Sequence, residues 1–138
     1  MKQRIYYILI FCLISITNNY AQATLKFHQT FASMNADKIN MNVDSDNITI
    51  KTIKGSRIVV EMLIKISSNN SRLLEFIAAG GRYDLEKKFD DNQHTLVLNS
   101  KKIKDIITIK GEEIKEEIGY VVYVPETTQF VHDTIASR

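Results

Sequence analysis

The run Arg57-Ile58-Val59-Val60-Glu61-Met62-Leu63-Ile64-Lys65-Ile66-Ser67 constrains this chain more than any other stretch, because only one kind of element can accommodate it. Ile58, Val60, Met62, Ile64 and Ile66 recur at period two, the repeat of a strand and not of a helix. The opposite face mixes Val59 and Leu63 with Arg57, Glu61 and Lys65, so one side reads as fully buried and the other as half covered. That is the pattern of a central strand in a mainly β domain.

The same period recurs along most of the chain. Leu25, Phe27 and Phe31 predict a first strand. Ile39, Met41 and Val43 predict a second, and Ile48, Ile50 and Ile53 a third after the polar turn Asp44-Ser45-Asp46-Asn47. Lys54-Gly55 reads as a tight turn into the central strand, which predicts a hairpin of neighbouring strands between Asp44 and Ile66. The period then changes. Asn70 or Ser71 caps a short helix, about residues 70–79, whose Leu73, Phe76 and Ile77 share one face, with Leu74 beside them. Gly80-Gly81 stops it, and at this length it needs to dock on a sheet to persist.

Strand spacing returns afterwards. Tyr83, Leu85 and Phe89 form one expected strand, Thr95 to Asn99 the next, and Ile106, Ile107 and Ile109 another. Ile118, Tyr120, Val122 and Val124 then match the central run in strength and end at Pro125, the only proline, which cannot donate to a ladder. Gln129 to Val131 is a last short strand. The expected fold is therefore a single β-sandwich, or a short β-solenoid-like cap, of about eight strands with one docked helix.

The N-terminus carries the clearest functional signal. Lys2 and Arg4 precede an apolar run from Ile5 to Ile16, and polar residues lead into Ala21-Gln22-Ala23, the three-part pattern of a secretory signal. A membrane span needs roughly 20 apolar residues, more than this run supplies, so residues 1–23 are expected to be removed and 24–138 to form one β-rich domain. Cleavage after Ala21 is the alternative. Without Lys2 and Arg4 the 18 basic residues become 16, against 16 acidic ones, so the exported domain is formally neutral. Nucleic acid is not an expected partner, and no membrane span is expected to remain after cleavage.

Cys12, the only cysteine, lies in the apolar run and leaves with it. Bulky Phe11 before it argues against lipid attachment, where a small residue is needed. Cysteine chemistry is thereby excluded from the exported domain.

Motifs for catalysis are weak throughout. His28, His94 and His132 are far apart and show no metal-ligand spacing. Asp44-Ser45-Asp46-Asn47 opens like a calcium loop, but Thr49 stands where glycine is needed and Gly55 where a bidentate glutamate belongs. Glu112, Glu113, Glu116 and Glu117 are interrupted by Lys115 and read as a solvated face. Lys87, Lys88, Lys101, Lys102 and Lys104 read as edge-strand charges that keep a β protein soluble. Phe76, Tyr83, Phe89, Tyr120, Tyr123 and Phe130 are expected in the core. Asn47-Ile48-Thr49 and Asn69-Asn70-Ser71 match a glycosylation pattern that is common by chance. No serine elbow or phosphate loop occurs. Hence no catalytic, cofactor-binding or metal residues are expected, and no cofactor.

Four strings carry a family resemblance. They are Gly81-Arg82-Tyr83-Asp84-Leu85, Thr95-Leu96-Val97-Leu98-Asn99-Ser100-Lys101-Lys102, Ile109-Lys110-Gly111-Glu112, and Gly119-Tyr120-Val121-Val122-Tyr123-Val124-Pro125-Glu126. Together they resemble the N-terminal region of exported bacterial adhesin-type β-solenoid proteins, over roughly residues 37–130. The resemblance implies a cell-envelope or surface domain and contributes no catalytic residues. Proteins of that kind continue into short β rungs, whereas this sequence ends at Arg138, so a free-standing cap, or a chain lacking its rung-bearing half, is expected. The expected function is a non-enzymatic envelope or surface binding module, adhesin-like, with an envelope protein, surface protein or glycan as partner. The alternative is a periplasmic carrier of an apolar small ligand, which requires the sheets to enclose a cavity.

Overall fold

The computed structural model describes residues 22–101 and 105–134, and within them the chain is mainly β with a single helix. The leader expected at residues 1–23 lies outside the described residues apart from Gln22 and Ala23. The strands are β1 (Ala23–Ala32), β2 (Lys38–Val43), β3 (Ile48–Ile53), β4 (Arg57–Ile66), β5 (Glu86–Asp90), β6 (Thr95–Asn99), β7 (Thr108–Ile109), β8 (Glu112–Glu113), β9 (Glu116–Pro125) and β10 (Gln129–Thr134). The helix is α1 (Ser71–Ala79). Two four-stranded sheets form a sandwich, sheet A in the order β1-β4-β9-β3 and sheet B in the order β10-β2-β6-β5, and β7 and β8 pair separately.

The central run is β4, and its five period-two side chains are all buried against sheet B or the helix end of the fold. At about 1.5–3 kcal/mol each, these side chains contribute on the order of 10 kcal/mol of gross burial. Beside β4 lies β9, antiparallel, with Met62 opposite Tyr120 and Val60 opposite Val122. The two strongest alternating runs are thus neighbours at the centre of one sheet. Facing them, β2 and β6 bring Ile39, Met41, Val43, Leu96 and Leu98, none with any exposed surface.

Gln29 on the inner face of β1 accepts a hydrogen bond from the Leu85 amide, just before β5, at 2.8 Å. This contact sets β1 over β5, and the strand orders then set β4 over β6, β9 over β2 and β3 over β10. Short connections agree with that stacking, since residues 44–47 join β2 to β3 and residues 126–128 join β9 to β10.

Three expectations change. The hairpin predicted between β3 and β4 is absent, because β9 inserts between them, parallel to β3 and antiparallel to β4. A turn at Gly55 (φ 122°) reverses the chain, but the apolar alternation of β9 matches β4 better than β3 does. The strand expected from Tyr83 begins only at Glu86, since Tyr83 and Leu85 are buried in two different core clusters. The strand expected at Ile106 to Ile109 is reduced to the two residues of β7.

The helix also turns differently. Asn70 caps it, its Oδ1 accepting from the Leu73 amide at 3.1 Å. Leu74 is 1% exposed and sits with Ala23, Ile64, Ile66 and Tyr83, while Phe76 is 77% exposed. After the helix Gly81 adopts φ 80°, a conformation costly for other residues, and this turn directs Arg82 and Tyr83 toward β9.

Candidate functional site

Three recesses in the described residues are large enough to hold a ligand, one of them, about 600 Å³ and open to solvent, lying along the β5–β6 hairpin between Lys88 and Asn99. Of the other two, the first is a pocket of about 330 Å³ at the end of the sandwich where β2 and β6 finish and β9 begins. Its wall is built on the one strongly buried ion pair among the described residues. Arg82 donates from Nε and Nη2 to the two carboxylate oxygens of Glu116, at 2.8 and 2.7 Å, and the Tyr83 hydroxyl donates to Glu116 Oε1 at 2.5 Å. Both charged side chains are more than four-fifths buried. The bidentate fork fixes the chain leaving α1 to the first residue of β9, and the Glu116 carboxylate holds Arg82 above its ordinary pKa despite burial.

Two tyrosines beside this pair are held protonated. Burial, then the hydrogen bond to Glu116, pushes the Tyr83 hydroxyl well above its ordinary value. Tyr120, 4% exposed, is pushed up to about 12, first by burial and then by the charge of Asp44. Neither can supply a phenolate near neutral pH. Glu116 is committed to Arg82 and Tyr83, so the pocket has the character of a polar recess locked by an internal ion pair.

The second surface is a groove of about 330 Å³ on the solvent side of sheet A, lined largely by apolar atoms. Gly119 in β9 creates it, because Leu63 and Gly119 are cross-strand partners and the glycine leaves Leu63 without a side chain beside it on the β9 side. Leu63 is 40% exposed as a result. Val121 continues the floor, the Lys26–Glu61 ion pair at 3.3 Å forms one rim, and Asn47 and Thr49 form the other. A methyl group on Gly119 would approach Asn47 Nδ2 to 2.8 Å, so the Asn47 side chain lies over the glycine. Further along the same face Tyr123 donates to Glu61 at 3.4 Å, and Lys51 stands 5.7 Å above its ring.

The histidines are dispersed. His28 sits on the outer face of β1 opposite Glu61. His94 lies in the β5–β6 turn at φ 46°, edge-on to Phe89, and its carbonyl accepts from the amides of Asp37 and Lys38. His132 places Nδ1 3.0 Å from the Met41 carbonyl. Among the described residues, no group of three or more His, Cys, Asp or Glu side chains could hold a metal ion.

Of the four glutamates singled out in sequence, Glu113 and Glu116 reach the first pocket. Glu117 pairs with Lys65 in register on the exposed face, and Glu112 belongs to β8. Lys87 and Lys88 are exposed on β5 and Lys101 borders the pocket, whereas Lys102 and Lys104 lie outside the described residues. Two aromatics expected in the core are elsewhere, Tyr123 on the outer face of sheet A and Phe76 in solvent. The groove was visible in sequence only as the half-covered face of β4. Gly119 within a strand run was the sharper signal, since an interior strand glycine often marks a close approach or a gap. Comparison with family models, with curated proteins and with solved structures finds no match to this chain.

Proposed function

We propose that the chain is an exported, non-enzymatic binding module of the cell envelope or surface, adhesin-like in role, which recognises its partner through the outer face of sheet A. The observation that carries this reading is the groove over Gly119, where the sheet face exposes Leu63 to solvent between one charged rim and one neutral polar rim. Apolar surface rimmed by polar groups is the usual form of a recognition site on a β domain. The carrier alternative draws less support, because the inner faces of the sheets are filled by fully buried side chains of β2, β4, β6 and β9. Export is supported by the leader pattern. Cleavage after Ala21 fits the fold better than cleavage after Ala23, which is 5% exposed and donates its amide to Ser68 at 2.7 Å.

The test has two arms. Intact cells are treated with added protease, and purified protein and its Leu63→Glu variant are titrated onto isolated envelope fractions. Cleavage of the domain on cells, with at least tenfold weaker envelope binding by the variant, is the expected result. Full protection removes the surface role, and equal binding by both proteins removes the groove.

A further inference from the structure

Sheet A has one edge left open. β5, at an edge of sheet B, carries four charges in five residues, Glu86, Lys87, Lys88 and Asp90. β1, the other edge of sheet A, is flanked by α1. β3 is different: its sequence Ile48-Thr49-Ile50-Lys51-Thr52-Ile53 contains one charge, no proline and no bulge, and Ile50 is 39% exposed. Natural sheets block such edges, and an unblocked one is a template for another strand.

The direction of its backbone groups follows from its pairing. The Asn47 carbonyl accepts from the Tyr120 amide at 2.9 Å and the Ile53 carbonyl from the Glu126 amide at 3.2 Å. Backbone groups of alternate residues point to opposite sides of a strand, so residues 47, 49, 51 and 53 face β9. Ile48, Ile50 and Thr52 therefore face outward. The Ile48 amide is taken by the Asp46 carbonyl at 3.1 Å. The amides of Ile50 and Thr52 and the carbonyls of Ile48, Ile50 and Thr52 remain directed at solvent.

We infer that this edge pairs with β3 of a second copy of the chain, antiparallel about a two-fold axis through Ile50. In that register Ile50 exchanges two backbone hydrogen bonds with Ile50 of the second copy, and each Thr52 amide donates to the other copy's Ile48 carbonyl. Of the outward groups named above only the Thr52 carbonyl is then left to solvent, because the Ile48 amide it would meet is held by Asp46. Ile50 meets Ile50 across the axis and extends the apolar layer between the sheets from one copy into the next. Thr49 stands opposite Lys51, which keeps the two lysines apart. A register centred on Lys51 would set them face to face, where like charges destabilise. The contact is isologous, so it closes at two copies and makes one eight-stranded sheet from two four-stranded ones. This inference is independent of what the groove binds.

A six-residue edge gives a small interface, so association belongs to the weak class and is read by concentration. The full chain is expressed with its own N-terminal segment, and the purified product is followed by sedimentation from about 5 to about 500 μM. The wild-type mass rises toward that of a dimer. Ile50→Pro removes an amide that the monomer does not use, at an edge position where proline is tolerated, so it keeps the melting temperature within a few degrees and stays monomeric. Ile50→Lys, which sets two charges across the axis, does the same and serves if the proline variant fails to fold. Ile50→Cys forms a disulfide-linked dimer under mild oxidation faster than Lys88→Cys on β5. A wild type that stays monomeric throughout, or Ile50 variants that associate as well as it does, overturns the inference.

Discussion

Tyr120 joins the hydrophobic core to the polar end pocket. Its ring is part of the core opposite Met62, while its hydroxyl reaches the end pocket within the field of Asp44. A phenol whose folded pKa is raised binds its proton more tightly in the folded than in the unfolded chain. Its contribution is therefore complete below the unfolded value near 10 and is lost as pH rises toward the folded value of about 12. The slope is about 1.4 kcal/mol per pH unit per tyrosine in that window. Tyr83, raised for the same first reason, adds to the loss. Urea denaturation at pH 8, 10 and 11 should show stability falling above pH 10, with a visibly shallower fall in Tyr120→Phe. Equal slopes in the two proteins would mean that Tyr120 is already hydrated in the folded state.

Among the elements, β4 and β9 were legible because their inner faces alternate without interruption, and a strict period of two leaves one way to bury them. Their neighbours were not. The turn at Gly55 predicts a hairpin from local chemistry, but the order β4-β9-β3 is decided by which apolar faces fit, and β9 lies over fifty residues away in sequence. The helix failed for a related reason. Leu73, Phe76 and Ile77 and the set Leu74, Ile77 and Ala78 both satisfy the i, i+3, i+4 template, and nine residues are too few for the pattern to choose. Docking chose Leu74. Leu74→Ala should therefore cost about 2–4 kcal/mol by opening a cavity beside Ile64 and Ile66, whereas Phe76→Ala should change stability by less than about 0.5 kcal/mol. Thermal unfolding of the two variants tests the orientation directly, and a larger loss for Phe76→Ala would reverse it. The groove was only half legible, through the mixed face of β4 and the glycine within β9, and the open edge was hidden, since Ile50 acquires its meaning only once β9 stands between β3 and β4.

At the scale of the whole molecule, the late strand β9 makes the fold depend on its last segment. Among the described residues β3 has β9 as its one ladder partner, and β10 forms the outer edge beside β2. Without β9, sheet A is reduced to β1 and β4, and a two-stranded sheet is marginal in water. Tyr120, Val122 and Val124 also leave the core, a gross loss of about 5–9 kcal/mol, comparable with the whole net stability of a small domain. A chain ending at Gly111 should accordingly show no cooperative thermal transition, although it keeps β1 to β6 and the helix. A peptide covering residues 115–134, added in trans, should restore the transition, because the slot between β3 and β4 is complementary to β9 on both sides. Pairings such as Ile48 with Tyr120 also close very long loops, so the intact domain should refold in milliseconds to seconds, as other non-local β domains do. Stopped-flow refolding together with melts of the truncated chain measures both. Cooperative unfolding of the truncated chain by itself would show that β9 is an addition to a finished sandwich and not its centre.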